Sequence, residues 1–300
     1  MSASTVAPFD RQAYRTHRAR AARQWDKQNF LVAEVAGRLV ERLDDIKRAF
    51  PMVLDLGCHG GEVARALHGR AGIGHLVSSD LAFDFARRAH GVVADEEALP
   101  FADASLDLVL SVLNLHWVND LPGALLQIRR ALKPDGLLLA AMLGGETLGE
   151  LRAALLQAEA EIEGGASPRV SPFADLRDAA GLLQRAGFAL PVADTDRLTV
   201  SYADALALMH ELRAMGESNA TVERRRSFTR RATLLRAAEL YRHAHGGPDG
   251  RIGATFQVIY LHAWAPHPEQ PRPLKPGAAT GRLADALGTV ERPAGEKAGR

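Results

Sequence analysis

Cysteine is nearly missing. The only one in 300 residues is Cys58, so the chain has no internal disulfide to form, which suits a reducing compartment. In a glycine turn it reads as a small packing residue rather than a nucleophile. No apolar run approaches the roughly 20 residues that cross a bilayer, and the first nine residues carry no signal-peptide core. An excess of either charge is also lacking. A net charge of +1, with 24% charged residues, shows neither a nucleic-acid footprint nor an acidic partner surface. What is present is apolar residue, 47% of the chain, enough for one large domain or one domain with an elaborated lid, and no separate second domain is required.

The stretch Met52–Gly61, Met-Val-Leu-Asp-Leu-Gly-Cys-His-Gly-Gly, organises the rest. Val53, Leu54 and Leu56 suit a central parallel strand, and Gly57, Gly60 and Gly61 let the backbone turn and approach a ligand. A dinucleotide fingerprint reads Gly-x-Gly-x-x-Gly. Here Asp55 stands two residues before the first glycine and His59 holds the middle position. That order resembles motif I of the class I S-adenosylmethionine-dependent methyltransferases.

Residues Leu31, Val32, Val35, Leu39, Val40, Leu43 and Ile46 recur at helical spacing, and Pro51 separates that helix from the first strand. A helix is expected from Glu62 to Leu67 and a strand from His75 to Ser79. Asp80 then lies nineteen residues past Gly61, where a strand-end acid can take up a ribose diol; the plain alternative is a surface acid in a turn. Further strands are expected at Val92–Ala94, Leu106–Val112, Leu137–Met142 and Val192–Val200, with an antiparallel one at Thr255–Trp264. Asn119 and Asp120 offer helix caps, Lys133-Pro-Asp-Gly136 a turn, and Ser171-Pro172 the start of a helix reaching Arg185. Arg11–Lys27 reads as a basic helix, lying over the mouth of a cofactor site or on its rim, with a solvated face as the plain alternative. The domain reading is therefore a basic segment at 1–29, a catalytic-fold domain at 30–265 with lid elements at 144–172 and 202–250, and a disordered tail at 266–300 rich in Pro, Gly and Ala.

Asp55-Leu-Gly-Cys, Ala94-Asp-Glu-Glu-Ala-Leu-Pro-Phe, Leu115-His-Trp-Val-Asn-Asp-Leu-Pro, Leu132-Lys-Pro-Asp-Gly and Met215-Gly-Glu-Ser-Asn occur in order. Together they resemble one branch of that superfamily, the respiratory complex I assembly factor described as an arginine hydroxylase, with its bacterial homologues. The likeness runs from about Phe9 to about Trp264. It implies an α/β, Rossmann-like, seven-stranded methyltransferase sheet with helices on both faces, an antiparallel last strand and a helical lid. It implies S-adenosylmethionine as cofactor, held by Asp55, Gly57, Cys58, Gly61, Asp80, Leu81, Asp95, Glu96 and Asn114. By the same resemblance Asp95 accepts from the adenine amino group and the next amide meets the ring, with Leu81, Ala82 and Leu99 as apolar faces. The partner implied is a complex I peripheral-arm subunit. Acids are absent before Asp10 and arginines follow, a faint transit-peptide pattern, yet Phe9-Asp-Arg already resembles the start of the family domain. A bacterial cytoplasmic enzyme is the simpler reading, with the mitochondrial matrix the alternative in a eukaryote.

Methyl transfer needs chiefly alignment of an acceptor and exclusion of water. The Asn/Asp-Pro-Pro-aromatic loop of base-amino methylases is replaced by Asn114-Leu-His-Trp117, which speaks against nucleic-acid substrates. His116 is the acid/base candidate, unless it and Trp117 only wall the pocket. His59 stands where the family has glycine, and Gly60 is expected to absorb the turn. An arginine acceptor calls for carboxylates, and Glu146 and Glu217 are the candidates, each equally readable as a cap or exposed charge. The pair His267 and Glu269 reads as a loose surface pair rather than a metal site. Three readings stay open: arginine hydroxylation of a protein, methylation of a small carboxylate as in biotin-pathway relatives, and a non-catalytic assembly chaperone.

Overall fold

The structure is a computed structural model describing residues 7–270 and 281–290. Met1–Pro266 form one compact unit and His267–Arg300 another. In the second unit the described residues include a short helix, Leu283–Leu287, where the sequence suggested a structureless tail; positions 271–280 and 291–300 lie outside the described residues.

The first unit opens with helix α1 (Arg11–Ala21), capped by the Asp10 carboxylate, which accepts from the Ala13 amide at 3.0 Å. The single basic helix expected to Lys27 instead changes to a 3-10 segment at Ala22–Lys27. Helix α2 (Phe30–Glu41) buries Leu31, Val32, Val35, Ala36, Leu39 and Val40, each larger side chain contributing about 1.5–3 kcal/mol on leaving water. Strand β1 (Phe50–Leu56) already contains Pro51; its missing donor is tolerated because pairing with the inner neighbour begins only at Val53. There follow α3 (Glu62–Leu67), β2 (Ile73–Asp80), α4 (Phe83–Arg88), β3 (Val92–Val93) and β4 (Leu106–Val112).

A 3-10 turn at Leu115–Trp117 leads to α5 (Leu121–Ala131) and β5 (Leu132–Leu143). Asp120 caps α5, accepting from Gly123 at 2.9 Å, while Asn119 is taken by the Phe9 backbone at 2.8 Å. The expected turn before β5 is present inside the strand's first residues, where Asp135 has φ +60°. Then come α6 (Gly149–Glu163), α7 (Leu176–Arg185), β6 (Ala189–Tyr202), α8 (Ala205–Met215), α9 (Arg231–His245) and β7 (Ile252–Trp264). Helix α7 starts later than Ser171-Pro172 suggested. Asp175, whose carboxylate accepts from the Arg177 amide at 2.9 Å, is its cap, and the Ser171 hydroxyl donates to Asn219 at 3.3 Å instead.

The seven strands lie in the order β3-β2-β1-β4-β5-β7-β6. All neighbours are parallel except β7, which runs antiparallel to β5 and β6. Side chains alternate along β5: Leu137, Leu139, Ala141 and Leu143 enter one apolar cluster with α2 and α6, and Leu138, Ala140 and Met142 enter another with α5 and α7. Both faces are thus covered, as a parallel sheet requires. The strand order reverses direction between β1 and β4, so their carboxyl ends border the crevice where sheets of this kind take ligands.

Candidate active site

The turn from β1 to α3 is tight. Gly57 has φ +77°, and a β-carbon there would come within 2.3 Å of the Asn114 side chain, so only glycine fits on both counts. His59 has φ +48° and Gly61, the residue before α3, φ +86°. Gly60 does not absorb the turn; the histidine itself takes the left-handed conformation, and Gly60 leaves room for Trp25. Glu62 ties the turn down, accepting from Trp25 Nε1 at 2.9 Å, Asn29 Nδ2 at 3.2 Å and the Gly60 amide at 2.9 Å. The His59 ring is buried, stacked on Trp25 at 5.2 Å between centroids. Its Nε2 lies 2.9 Å from the Val112 carbonyl and its Nδ1 3.1 Å from Arg18 Nη1. A carbonyl on one nitrogen and a guanidinium on the other fix the neutral Nε2–H tautomer. Burial, and then the Arg18 charge, hold its pKa well below the usual histidine value.

Asp55, at the end of β1, is fully buried and neither carboxylate oxygen has a hydrogen-bond partner. Burial, with Glu62 and Asp80 nearby, pushes its pKa well up. Cys58 is buried, and burial likewise raises its thiol, so it is a packing residue. Asp80, at the end of β2, is at the opposite extreme. Its Oδ1 accepts from Arg18 Nε at 3.1 Å and the Ala82 amide at 2.8 Å, and its Oδ2 from Arg18 Nη2 and the His59 amide. Asp95 and Glu96 face Arg11, whose Nη2 is 2.6 Å from Asp95 Oδ1 and also bonds Glu96. Asn114 Nδ2 donates to Glu96 at 2.9 Å, and Tyr14 donates to Asn114 Oδ1 at 3.0 Å.

Helix α1 is therefore not a solvated face but lies over the mouth of the crevice, with Arg11, Tyr14 and Arg18 entering it. Sequence reading missed them, although their three- and four-residue spacing places them on one helical face. The three apolar residues expected around an adenine fall in three different apolar clusters. Leu81 packs with Tyr14 and Trp117, Ala82 belongs to the cluster with α2, and Leu99 packs on the opposite sheet face.

Beyond the end of β4, Trp117 stacks on Tyr14 at 5.0 Å. Glu217, in the turn after α8, accepts on Oε2 from Trp117 Nε1 at 3.1 Å and lies 3.3 Å from His116 Nε2. The Leu143 amide points at His116 Nδ1 at 3.5 Å, which leaves the proton on Nε2. Beside them is a cavity of about 200 Å³ lined by Trp117, Phe173, Leu143, Phe256, Arg213 and Glu217 among others. The sequence thus brings His116, Trp117 and Glu217 together. Glu146 does not join them: its carboxylate is exposed and paired with Arg197 on β6. His267 accepts from the Glu269 amide at 3.2 Å within the second unit.

Residues 54–140 match the family described as methyltransferase domain. Human mitochondrial arginine-hydroxylase NDUFAF5 is 44% identical, covering 93% of this chain and 83% of its own length. A malonyl-[acyl-carrier protein] O-methyltransferase from Methylovorus sp. is 38% identical, covering 86% of this chain and 90% of its own. The chain belongs to the class I S-adenosylmethionine-dependent methyltransferase superfamily, in the family that includes these two enzymes. The solved YcgJ protein of Bacillus subtilis shares the fold with a TM-score of 0.54 at 16% identity, over 78% of this chain and 99% of that one. As a member of this superfamily the chain is an enzyme, and its cofactor is S-adenosylmethionine. The donor set fits that group. Asp55 is a buried carboxylate lacking a cationic partner, which an α-ammonium would supply, and Asp80 and Asp95 stand at successive strand ends for a nucleoside. In the conformation described, however, Asp80 and Asp95 are engaged by arginines of α1.

Proposed function

We propose that this enzyme hydroxylates an arginine side chain of a respiratory complex I subunit. The observation that supports it is the Glu217 carboxylate at the wall of an aromatic and aliphatic cavity. Both of its hydrogen bonds, to His116 and Trp117, use Oε2, so Oε1 is left to accept from a guanidinium. Trp117 and Phe173 line that cavity, and aromatic rings are the side chains over which a planar cation stacks. His116, whose Nε2 lies 3.3 Å from Glu217 Oε2, holds Glu217 in place.

When bound, S-adenosylmethionine supplies a sulfonium centre at the crevice between β1 and β4. Hydroxylation inserts one atom of dioxygen into a C–H bond, the other leaving as water with two electrons and two protons from a reductant. Trp117, Leu143 and Phe173 exclude bulk water from the acceptor, and Glu217 orients it. The test is to incubate the protein with cofactor, dioxygen, a two-electron donor and a candidate subunit, and to weigh the product. A gain of one oxygen on an arginine is expected, and Glu217→Gln is expected to lower kcat/KM roughly 10–100-fold, the worth of one charge-assisted bond. A gain of one methylene on a carboxylate overturns the reading.

That second outcome is itself favoured by one observation. Arg213 lines the same cavity and would take an acidic acceptor of the malonyl type, in which case Arg213→Ala removes activity and Glu217→Gln spares it. No helix among the described residues is long and apolar enough to cross a membrane. By likeness to the human relative, whose name places it in the mitochondrion, we assign the enzyme to the mitochondrial matrix in a eukaryote and otherwise to the bacterial cytoplasm.

A further inference from the structure

Asp80 has two oxygens, and four donors already converge on them: Arg18 Nε and the Ala82 amide on one, Arg18 Nη2 and the His59 amide on the other. A guanidinium fork and a vicinal diol make the same demand on a carboxylate, two parallel hydrogen bonds. They compete for one place. The ion pair is buried, with side chains 1% and 0% exposed, and Arg18 also covers the Phe85 ring at 4.8 Å. Seven residues earlier on the same helical face, Arg11 holds Asp95 and Glu96 and reaches the Trp117 carbonyl at 3.2 Å. Between them Tyr14 holds Asn114 and stacks on Trp117. Both strand-end carboxylates that would receive the nucleoside, Asp80 and Asp95, are thus matched to a donor on α1.

We propose that α1 is a built-in plug of the nucleoside site, and that the cofactor enters only by displacing Arg18 from Asp80. The plug also reaches the acceptor side. His17 Nδ1 lies 3.2 Å from the Ser218 carbonyl, the Asp10 amide donates to the Ala220 carbonyl at 2.7 Å, and Arg224 pairs with Asp10 at 2.8 Å. These contacts join α1 to the turn that carries Glu217, so withdrawal of the helix and loosening of that turn are one event. Cofactor occupancy and the shape of the acceptor cavity are then linked through a single two-state element. Nothing in this depends on which acceptor the enzyme uses.

Binding of S-adenosylhomocysteine, followed by tryptophan fluorescence in a stopped-flow instrument and by calorimetry, tests it. In the unsubstituted protein the observed association rate is expected to level off with ligand concentration, at the rate of plug opening. Arg18→Gln keeps the size and removes the fork. It is expected to raise that plateau and to tighten affinity at least tenfold, since a site open one-tenth of the time binds tenfold more weakly. Unchanged or weaker affinity in Arg18→Gln overturns the proposal, because Arg18 would then be spectator or cofactor ligand. Should that variant fail to fold, hydrogen exchange on the unsubstituted protein decides. At saturating S-adenosylhomocysteine the amides of α1 and of residues 217–224 must exchange faster; equal or slower exchange overturns it.

Discussion

At the scale of single residues, the cost of the site is concentrated on Asp55 and His59. Asp55 is a buried carboxylate with no partner, and its raised pKa, from burial first and then Glu62 and Asp80, has a definite sign in the stability curve. A folded-state pKa above the unfolded one contributes stability that is complete below about pH 4 and is lost as pH rises through the folded value. Asp55→Asn removes the charge while keeping the shape. Thermal unfolding of the ligand-free protein is expected to show the variant more stable near pH 8 by about 1–3 kcal/mol, with the gap closing near pH 4, while calorimetry shows weaker cofactor binding. A gap that does not change with pH would mean that the Asp55 carboxyl titrates alike in the folded and unfolded states and that burial does not raise it. His59 bears a different cost, a left-handed backbone at φ +48° that disfavours a side chain by about 1–2 kcal/mol. His59→Gly relieves it and removes one of the two partners of Arg18. Affinity for S-adenosylhomocysteine is expected to hold or rise, and a loss beyond tenfold would show the imidazole to be a ligand contact. The aspartate and the glycines could be read from the sequence as a ligand turn because their meaning is local. That the histidine would adopt the left-handed angle, and pack between Trp25 and Arg18, could not, since both neighbours arrive from another element.

At the scale of elements, strands were legible and the loops over the site were not. Leu106–Val112 is apolar apart from two residues and lies mid-sheet, and β5 alternates cleanly because each face meets a different helix layer. The segment 164–175 shows the opposite case. Ser171-Pro172 has the look of a helix start, but the chain stays non-helical until Asp175, since Ser171 bonds Asn219 and Gly145 donates to the Ala174 carbonyl at 3.1 Å. What holds this segment is Glu159 on α6, which accepts from the Ser167 amide at 2.8 Å, from Arg169 Nη2 at 2.6 Å and from Arg225 Nη1 at 3.3 Å. Burial opposes ionisation there, and the Arg169 and Ser167 hydrogen bonds outweigh it, bringing the Glu159 pKa down to about 2. A depressed folded value means that the contribution is present above about pH 4.3, the unfolded carboxylate, and is lost as pH falls towards 2. Glu159→Gln is expected to loosen this lid without disturbing the sheet. Hydrogen exchange should rise across residues 165–173 at neutral pH and stay unchanged in β4 and β5, and the unsubstituted protein should show the same pattern only near pH 3. Uniform acceleration across the sheet would place Glu159 in the core of the fold rather than in the lid.

For the whole molecule, the sheet was readable because its order follows from local periodicity and the motif sequence, whereas the closure of the crevice rests on contacts between residues far apart in the chain. Arg18 meets Asp80, Phe9 meets Asn119 and Asp10 meets Arg224; no local spacing announces such pairs. One connection is nevertheless left open to solvent. Between α8 and α9 the chain runs through Arg226, Phe228, Arg230 and Arg231, all exposed, Phe228 completely so. Helix α9 does not need that connection to stay in place. It buries Thr233, Ala237 and Tyr241, the Tyr241 hydroxyl donates to the Gly253 carbonyl of β7 at 2.8 Å, and Thr233 bonds Glu163 of α6 at 2.7 Å. Exposed loop tips are where proteases cut first, and a cut is tolerated when both flanking elements are packed independently. Brief trypsin treatment is expected to cleave within residues 224–231 before any site in the sheet layers. The nicked protein should elute from a sizing column as one species while denaturing electrophoresis shows two fragments, and cofactor binding should survive, since neither fragment end touches Asp55, Asp80 or Asp95. Separation of the fragments would mean that α9 is held by chain continuity and not by its packing against α6 and β7.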